Sequence, residues 1–494
     1  MALDSHAHNG NGAHAHGHVH IDATEPEGVM REMLQRMREA QRADVFPSYE
    51  SRVGDLDRLE RAILRRKDEI VDAIVRDFGH RARAEIQLSE IFLTVEEIRY
   101  ARENLKGWMT RRDAAVGWLF RPARAELVPQ PLGVIGVISP WNYPLSLALI
   151  PLVNALAAGN RVMIKPSEYT PASGELLRSL LADAFEPDRV GVVLGDAAVG
   201  AAFAGLAFDH LVFTGSTQVG RHVMRAAAEN LVPVTLELGG KSPAIVGRDV
   251  SLATAAERIA SGKLFNSGQT CIAPDYVLVP IEKRETFIDE LRKAVARMAP
   301  SIADNPDYTC VVNDRHYRRL VGYLDEARAK GARVIEVNPR GETLDAAQRK
   351  LPLTLVVEPD DALRVMQDEI FGPILPIKAY TSIEEAFAFI NDRPRPLALY
   401  YFSDDKDETE RVLHETIAGG VTVNDAMLHV GQPGLPFGGV GASGMGAYHG
   451  RWGFDTFTRM KPVFHQAKVN GGALIRPPYG RVLDAALKVL LRER

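Results

Sequence analysis

The residues best suited to covalent chemistry are a cysteine, a glutamate and an asparagine that lie far apart in the chain. Cys271 ends the run NSGQTC at 266–271, where glycine and small polar residues favour a thiol that a ligand can reach. Glu237 ends an apolar run, so burial would raise the pKa of its carboxyl and suit it to act as a general base. Asn142 lies in the proline-flanked turn 139–144, and its amide is a donor of the kind that stabilises an oxyanion.

These residues also have structural interpretations. Asn142 would then cap the helix that follows it, and Glu237 would accept hydrogen bonds from the N–H groups of the glycine turn at 239–240. The other cysteine, Cys310, adjoins an apolar pair at 311–312 and is expected to be inert packing. The sequence therefore points to Cys271 as the reactive thiol and leaves both interpretations of Asn142 and Glu237 open.

A second group of candidate residues follows two predicted strands in the first half of the chain. Gly215, Ser216 and Gly220 form a turn that opens a helix, where backbone N–H groups and the helix dipole favour a phosphate. The spacing is not that of the dinucleotide fingerprint G-x-G-x-x-G. Lys165 and Glu168 have the groups to bind a ribose. The alternatives are a glycine turn that is only structural and an ordinary ion pair in a loop.

The elements that must position these residues are alternating strands and helices. Repeated βα units imply a parallel sheet covered by helices on both faces, and right-handed crossovers place the loops after the strands along one edge. The alternation continues to about residue 445, which predicts a second α/β domain. The predicted strands are 133–139, 161–164, 190–194, 210–213 and 232–238, and the predicted helices between them are 145–158, 172–185 and 218–230.

Helical periodicity marks the region before the first strand. Apolar residues recur at helical spacing over 56–78 and again over 85–109, which predicts two amphipathic helices. Near the other end, residues 456–464 are predicted to form a strand that pairs away from both domains. Residues 482–491 are predicted to form a short amphipathic helix.

Composition excludes several classes of function. The chain has 494 residues, 46% hydrophobic, and a net charge of -5, which gives no attraction to nucleic acid or to an acidic membrane surface. Residues 127–160 carry no charge, but prolines and glycines interrupt them, so a buried strand, turn and helix are expected rather than a membrane span. Two cysteines make no disulfide framework, and with no secretory signal visible a cytoplasmic location is expected. The histidine-rich residues 1–28 are predicted to be a disordered tail without a selective metal site.

Seven motifs, taken in order, resemble the aldehyde dehydrogenase superfamily from about residue 30 to 465. They are PWN at 140–142, KPSE at 165–168, FTGS at 213–216, LELGGK at 236–241, GQTC at 268–271, EIFGP at 369–373 and PFGG at 436–439. The runs CIAPDY at 271–276 and GASGMGAYHG at 441–450 resemble the class 3 branch, and within it the bacterial coniferyl aldehyde dehydrogenases. The resemblance implies an α/β fold with a Rossmann-like parallel-sheet cofactor domain, a second α/β catalytic domain and a small β bridging and oligomerisation element.

The resemblance also implies a reaction, the NAD(P)-dependent oxidation of an aldehyde to a carboxylic acid. Cys271 would form a thiohemiacetal with the aldehyde, and loss of hydride would leave a thioester. Asn142 and the backbone N–H of Cys271 would stabilise the oxyanion, and Glu237 would activate the water that releases the acid. The expected substrate is a small aldehyde, either aromatic, such as coniferyl aldehyde, or medium-chain and apolar.

Cofactor contacts are carried over in the same way. Lys165 and Glu168 would hold the adenosine ribose, and Ser216 would contact the pyrophosphate. Glu369 would bind the nicotinamide ribose, with Phe371 beside it. NAD is expected because the Glu168 carboxylate repels a 2′-phosphate, and NADP stays open because class 3 relatives often accept both cofactors.

The expected assembly is a homodimer.

Two other functions stay open: a dehydrogenase that passes its acyl group to coenzyme A, against which Glu237 argues, and a non-catalytic dinucleotide-binding protein on the same fold. The expected domains are a tail at 1–28, a cofactor domain at 29–115 and 132–237, a catalytic domain at 238–445, a bridging element at 116–131 and 446–470, and a C-terminal tail at 471–494.

Overall fold

Strands of the chain form three separate sheets in the computed structural model, which describes residues 26–472 and 476–491. Residues 1–25 of the predicted tail lie outside the described residues, whereas 26–28 begin the first helix. The strands are β1 Arg112–Ala114, β2 Arg124–Pro131, β3 Val134–Ile138, β4 Arg161–Lys165, β5 Val190–Val192, β6 His210–Thr214, β7 Val234–Glu237, β8 Pro243–Val246, β9 Tyr276–Pro280, β10 Arg333–Val337, β11 Leu353–Val357, β12 Ile374–Tyr380, β13 Ala398–Phe402, β14 Gly420–Val423, β15 Gly444–Met445 and β16 Thr458–His465.

The α-helices follow the alternation expected of an α/β protein. They are α1 Pro26–Ala43, α2 Tyr49–Arg65, α3 Lys67–Phe78, α4 Arg83–Ile86, α5 Leu93–Trp108, α6 Ser146–Ala157, α7 Pro171–Ala182, α8 Ala197–Ala204, α9 Thr217–Ala228, α10 Leu252–Leu264, α11 Arg284–Met298, α12 Asp314–Ala329, α13 Arg364–Gln367, α14 Ile383–Asn391, α15 Lys406–Glu415, α16 Gly450–Thr456 and α17 Arg481–Leu490. The helix predicted at 482–491 is therefore present as α17.

The first sheet has the strand order β15-β7-β6-β3-β4-β5, and β3 to β7 are parallel. These are the five strands predicted from the sequence, with ends that differ by no more than two residues. Along β4, Val162 and Ile164 face a core shared with α5, α6 and α7, whereas Met163 faces one shared with α1, α8 and α9. Helices therefore cover both faces, which confirms the predicted architecture of this unit.

The second sheet confirms the predicted second α/β unit. Its order is β10-β11-β12-β9-β8-β13-β14, and only the edge strand β10 runs antiparallel to its neighbour. One link returns to the first sheet, because β15 pairs with β7 and sets Gly444 opposite Glu237. The expected boundary at residue 445 thus falls inside a strand of the first sheet.

The third sheet is antiparallel and stands apart from the other two. Its order is β1-β2-β16, and β16 pairs with β2 over eight residues, from Thr458 opposite Pro131 to His465 opposite Arg124. This pairing confirms the strand predicted at 456–464. β1 joins the sheet from residues 112–114, just before the expected start of the bridging element at 116.

The two predicted N-terminal helices are each interrupted. A single helix over 56–78 is wrong, because α2 ends and α3 begins at Arg66, where φ is -106° and ψ 19°. Both helices pack on one core, so the apolar spacing continued across the break. The segment predicted at 85–109 contains a π-helix at Gln87–Phe92 between α4 and α5, and this turn carries the buried Glu90.

The uncharged run at 127–160 forms part of β2, all of β3 and α6. Nearly every residue of α6 is buried, and Pro151 lies inside it. Among the described residues, no helix combines the length and the apolar character that crossing a bilayer requires. The sequence-based expectation of a buried strand, turn and helix is therefore confirmed.

Candidate active site

The predicted site residues converge at one edge of the first sheet. Because β3, β4, β6 and β7 are parallel, the loops that follow them meet at their carboxyl ends, and loops of the second unit close the other side. A cavity of about 210 Å³ lies there. Seven of the predicted residues line it: Asn142, Gly215, Ser216, Glu237, Cys271, Glu369 and Phe371.

Three predicted cofactor residues lie outside the cavity wall. Lys165 ends β4 and pairs with Glu168 at 3.3 Å, with the lysine side chain 3% exposed and the glutamate 35%. The pair is therefore more than a solvated surface contact. Gly220 lies buried in α9 against Leu238, where a side chain would leave only 2.7 Å to a leucine methyl. Its visible role is the close packing of α9, and cofactor binding by these three residues stays a prediction.

Glu237 is a buried carboxyl that forms no ion pair with any residue the structure describes. It ends β7 at 1% exposure, and neither oxygen has a hydrogen-bond partner within the described part of the chain. The alternative that the glycine turn satisfies this carboxylate is therefore wrong. Burial raises the pKa of Glu237 well above its usual value, as a general base working near neutrality requires.

Cys271 lies at the end of a firmly anchored loop, residues 266–271, which we call the cysteine loop. Asn266 and Ser267 have φ values of 49° and 50°, in the left-handed region, which asparagine tolerates and serine adopts less often. The side chain of Gln269 fixes the loop to the segment around Cys310, because its Nε2 donates to the Cys310 carbonyl oxygen at 2.9 Å. The Cys271 side chain is partly exposed to the cavity, whereas Cys310 is buried as expected.

Acidic neighbours and burial act on the Cys271 thiol together. Burial raises its pKa most, and the nearby carboxyls of Glu369 and Glu237 raise it further. The described residues around the cavity thus favour the neutral thiol. A positive charge brought into the cavity would favour the thiolate that attacks a carbonyl carbon.

Asn142 faces the cysteine loop rather than the helix after it. Its Nδ2 donates to the carbonyl oxygen of Gln269 at 3.2 Å, so the capping alternative is wrong. This nitrogen carries two hydrogens, and the Asn142 side chain lines the cavity with Cys271. The amide is therefore placed to donate its second hydrogen to an oxygen on a substrate carbon bonded to the sulfur.

The groups expected to hold a dinucleotide fit that purpose. Ser216 is the N-cap of α9, so the N–H groups of the first helical turn open toward the cavity wall. Glu369 projects a carboxyl over Gly239, where any side chain would collide with it, and its Oε1 has no partner among the described residues. An acceptor of this kind suits a ribose diol. Burial, with the nearby Asp275, raises the pKa of Glu369 to about 8.

Sequence reasoning missed several residues of the cavity wall. Trp141 packs against Phe371 with ring centroids 5.3 Å apart and against His316 at 5.0 Å. Arg319 lines the same wall and donates to the Glu369 carbonyl oxygen at 3.4 Å. Trp141 adjoins Asn142 in a motif and was detectable. His316 and Arg319 lie in α12, an ordinary amphipathic helix whose sequence carries no such signal.

The first sheet, the cysteine loop and the buried carboxyls together provide the groups that a dinucleotide-dependent dehydrogenase with a thiol nucleophile requires. The model of the aldehyde dehydrogenase family matches residues 16–463, and the chain belongs to this family. It is an oxidoreductase that acts on aldehydes with a nicotinamide dinucleotide. The resemblance stated from the motifs is therefore confirmed.

Within this family, the chain is similar to the following proteins and solved structures. A probable coniferyl aldehyde dehydrogenase of Pseudomonas aeruginosa is 53% identical over 452 residues, covering 92% of this chain and 94% of that protein. Aldehyde dehydrogenase family 3 member A2 of Mus musculus is 41% identical over 434 residues, covering 88% of each. Substrate-bound Staphylococcus aureus AldH superposes with a TM-score of 0.88 at 37% identity, covering 94% of this chain and 99% of that one. An NAD+ complex of Bacillus cereus aldehyde dehydrogenase gives 0.81 at 27% identity, covering 90% and 89%.

Proposed function

We propose that this chain oxidises aldehydes to carboxylic acids by covalent catalysis at Cys271, with Asn142 as oxyanion donor and Glu237 as general base. One observation carries the proposal: a reachable thiol, a side-chain amide and a buried carboxyl, which has no hydrogen-bond partner among the described residues, line the same small cavity. Each has the chemistry that one step of acyl transfer to water requires.

The reaction begins when Cys271, its thiol proton lost to solvent water, bonds through sulfur to the aldehyde carbon and the carbonyl π electrons move to oxygen. The Asn142 amide and the Cys271 backbone N–H stabilise the resulting oxyanion, and one such donor is worth roughly 3 kcal/mol in comparable sites. When bound, the oxidised nicotinamide would supply the hydride acceptor and a positive charge. Departure of hydride leaves a thioester on Cys271. Glu237 then takes a proton from water, the oxygen bonds to the acyl carbon, and the acid leaves as the sulfur is freed.

The cofactor is held by groups on both sides of the cavity. Ser216 and the first turn of α9 would contact the pyrophosphate, and the Glu369 carboxyl would accept from the nicotinamide ribose, with Phe371 beside it, because all three side chains line the cavity. Lys165 and Glu168 hold the adenosine ribose. The Glu168 carboxylate repels a 2′-phosphate, which favours NAD over NADP.

The substrate is an aromatic aldehyde of the coniferyl type. Its support is the 53% identical relative named for this substrate, together with the surroundings of the thiol. Trp141 and Phe371 line the same cavity as Cys271, with their ring centroids 5.3 Å apart. Flat aromatic walls favour an aryl aldehyde by offset and edge-to-face contacts.

A panel of aldehydes assayed with NAD and with NADP tests this function. We expect NADH formation to be most efficient, by kcat/KM, with cinnamyl-type aldehydes, less efficient with medium-chain aliphatic ones, and chromatography to show the free acid. Coenzyme A should leave the product unchanged, because Glu237 directs the thioester to water. Formation of acyl-CoA in place of the acid, or no reduction of either cofactor, would overturn the proposal.

The assembly and the division of the chain belong to the same proposal. The domains are the cofactor unit at 29–115 and 132–237, the catalytic unit at 238–445 and the bridging element at 116–131 and 446–470, and the enzyme is a cytoplasmic homodimer. Support for a dimer comes from the third sheet, where β16 is an edge strand and Trp118 and Phe464 are more than half exposed. Light scattering that gives the mass of one chain would contradict the dimer.

A further inference from the structure

Arg81 is an arginine with no exposed surface that contacts the backbone of the proposed oxyanion donor. Its Nη1 donates to the carbonyl oxygen of Asn142 at 2.9 Å, and its guanidinium carbon lies 4.8 Å from the ring centroid of Tyr143. The Tyr143 hydroxyl in turn lies 2.6 Å from Oγ1 of Thr270, the residue before Cys271. One buried cation therefore touches both the turn that carries the donor and, through Tyr143, the loop that carries the thiol.

Glu90 provides the opposite charge and holds the other end of the same turn. Its Oε1 lies 3.2 Å from Nη1 of Arg81, and its Oε2 accepts from the backbone nitrogens of Leu145 and Ser146 at 3.1 and 2.8 Å. Burying such a pair costs free energy unless hydrogen bonds offset it. Both oxygens of Glu90 and both Nη atoms of Arg81 have partners, whereas Nε of Arg81 has none among the described residues. The pair thus fixes the turn at Asn142 and at the start of α6.

The cysteine loop is tied to the same point. Nδ2 of Asn266 donates to the carbonyl oxygens of Asn142 and Gln269, both at 3.2 Å. The backbone nitrogen of Asn266 donates to the partly buried carboxyl of Glu85 at 3.1 Å, which helps to hold the left-handed conformation of this residue. The Asn142 carbonyl therefore accepts from Arg81 on one side and from the cysteine loop on the other.

We propose that Arg81 is a positioning residue of the dehydrogenase reaction. By holding the Asn142 carbonyl and the Tyr143 ring, it fixes the direction of the Asn142 amide toward the oxyanion formed on Cys271. The inference rests on the proposed function. Without Arg81 the peptide of Asn142 gains freedom, and the amide loses its alignment with the oxyanion while the sulfur keeps its surroundings.

Two reactions of the same sulfur test this role. Aldehyde oxidation passes through an oxyanion, whereas alkylation of Cys271 by iodoacetamide does not. In Arg81→Met we expect the rate of the NADH burst to fall on the order of 30-fold, the size of a small misalignment, with the alkylation rate changed less than about threefold. The matched control is Arg52→Met, which removes another buried arginine that donates to the Pro47 and Ala157 carbonyl oxygens at 3.0 and 3.1 Å. It should lower stability and leave the ratio of the two rates unchanged.

A double-mutant cycle shows whether Arg81 acts through Asn142. In the Asn142→Ala background, Arg81→Met should lower the rate of the NADH burst by less than about a further threefold, because the amide that Arg81 positions is absent. The proposal would be overturned if the two substitutions lowered the burst rate independently, so that their effects multiplied. It would also be overturned if Arg81→Met alone slowed the NADH burst and the alkylation of Cys271 equally. Arg81→Lys keeps the charge beside Glu90 and serves if the methionine variant does not fold, because a single nitrogen cannot reproduce the guanidinium fork. If Asn142→Ala itself leaves the burst intact, the oxyanion role of Asn142 in the proposed function fails, and the role of Arg81 fails with it. A slow burst in Asn142→Ala together with a normal burst in Arg81→Met would overturn the role of Arg81 alone.

Discussion

Replacement of Glu237 by glutamine separates the two halves of the proposed reaction. The side chain keeps its shape and loses its ability to take a proton from water. A general base contributes about 10²- to 10⁴-fold to the step it serves, or roughly 3–5 kcal/mol of activation free energy. We therefore expect a normal burst of NADH, followed by steady-state turnover at least on the order of 100-fold slower.

The same substitution should make the protein more stable at neutral pH. Burial leaves both Glu237 oxygens without partners among the described residues and raises the pKa of the carboxyl well above its usual value. The folded state then binds a proton that the unfolded chain has lost above a pKa of roughly 4.3. Stability consequently falls as pH rises, by up to about 1.4 kcal/mol per pH unit, until the folded-state pKa is passed.

Stopped-flow absorbance and thermal unfolding at several pH values test these two consequences together. Glutamine carries no titrating group, so the variant should lose this part of the pH dependence and gain about 1–3 kcal/mol at pH 8. Wild-type turnover should rise with pH as Glu237 loses its proton, whereas the variant should show no such rise. Equal loss of burst and turnover, or a variant less stable than the wild type at pH 8, would refute this reasoning about Glu237.

Two further substitutions extend the test. Asn142→Ala should slow the NADH burst by about 100-fold or more, because one oxyanion donor is lost. The affinity for NAD, measured by fluorescence titration, should not change. A burst rate within about threefold of wild type would contradict the role of Asn142 as oxyanion donor. Glu168→Gln should shift the ratio of dissociation constants toward NADP by about tenfold, because the repulsion of a 2′-phosphate is removed, and an unchanged ratio would show that Glu168 does not face that position.

The parts of the fold that followed from sequence are those set by local pattern. The five strands β3 to β7 carry short apolar runs between helical ones, so their ends came within two residues of the prediction. Because parallel strands share one carboxyl edge, the same pattern correctly grouped Asn142, Ser216 and Glu237 at one cavity. The small polar residues around Cys271 predicted a reachable thiol, and the family resemblance added Glu369; a later part of the chain contributes both to the cavity.

The parts that sequence did not show depend on contacts between distant segments. Whether the Asn142 amide caps a helix or donates to Gln269 depends on the position of the cysteine loop, and Gln269 lies 127 residues further along the chain. The buried bond from Arg81 to Asn142 spans 61 residues and follows no periodicity. The break at Arg66 was hidden because both flanking helices present apolar residues to one core. In each case tertiary packing selects one of several local conformations or contacts that the sequence alone does not distinguish.

Mass spectrometry of acid-quenched Glu237→Gln enzyme tests the covalent role of Cys271 most directly. After mixing with NAD and an aromatic aldehyde, the peptide containing Cys271 should gain the mass of the acyl group, in step with the NADH released. The variant Cys310→Ser provides the control in the same background and should carry the same adduct, because the buried Cys310 takes no part. NADH release with unmodified Cys271, or an acyl group on Cys310 instead, would contradict catalysis through this thiol.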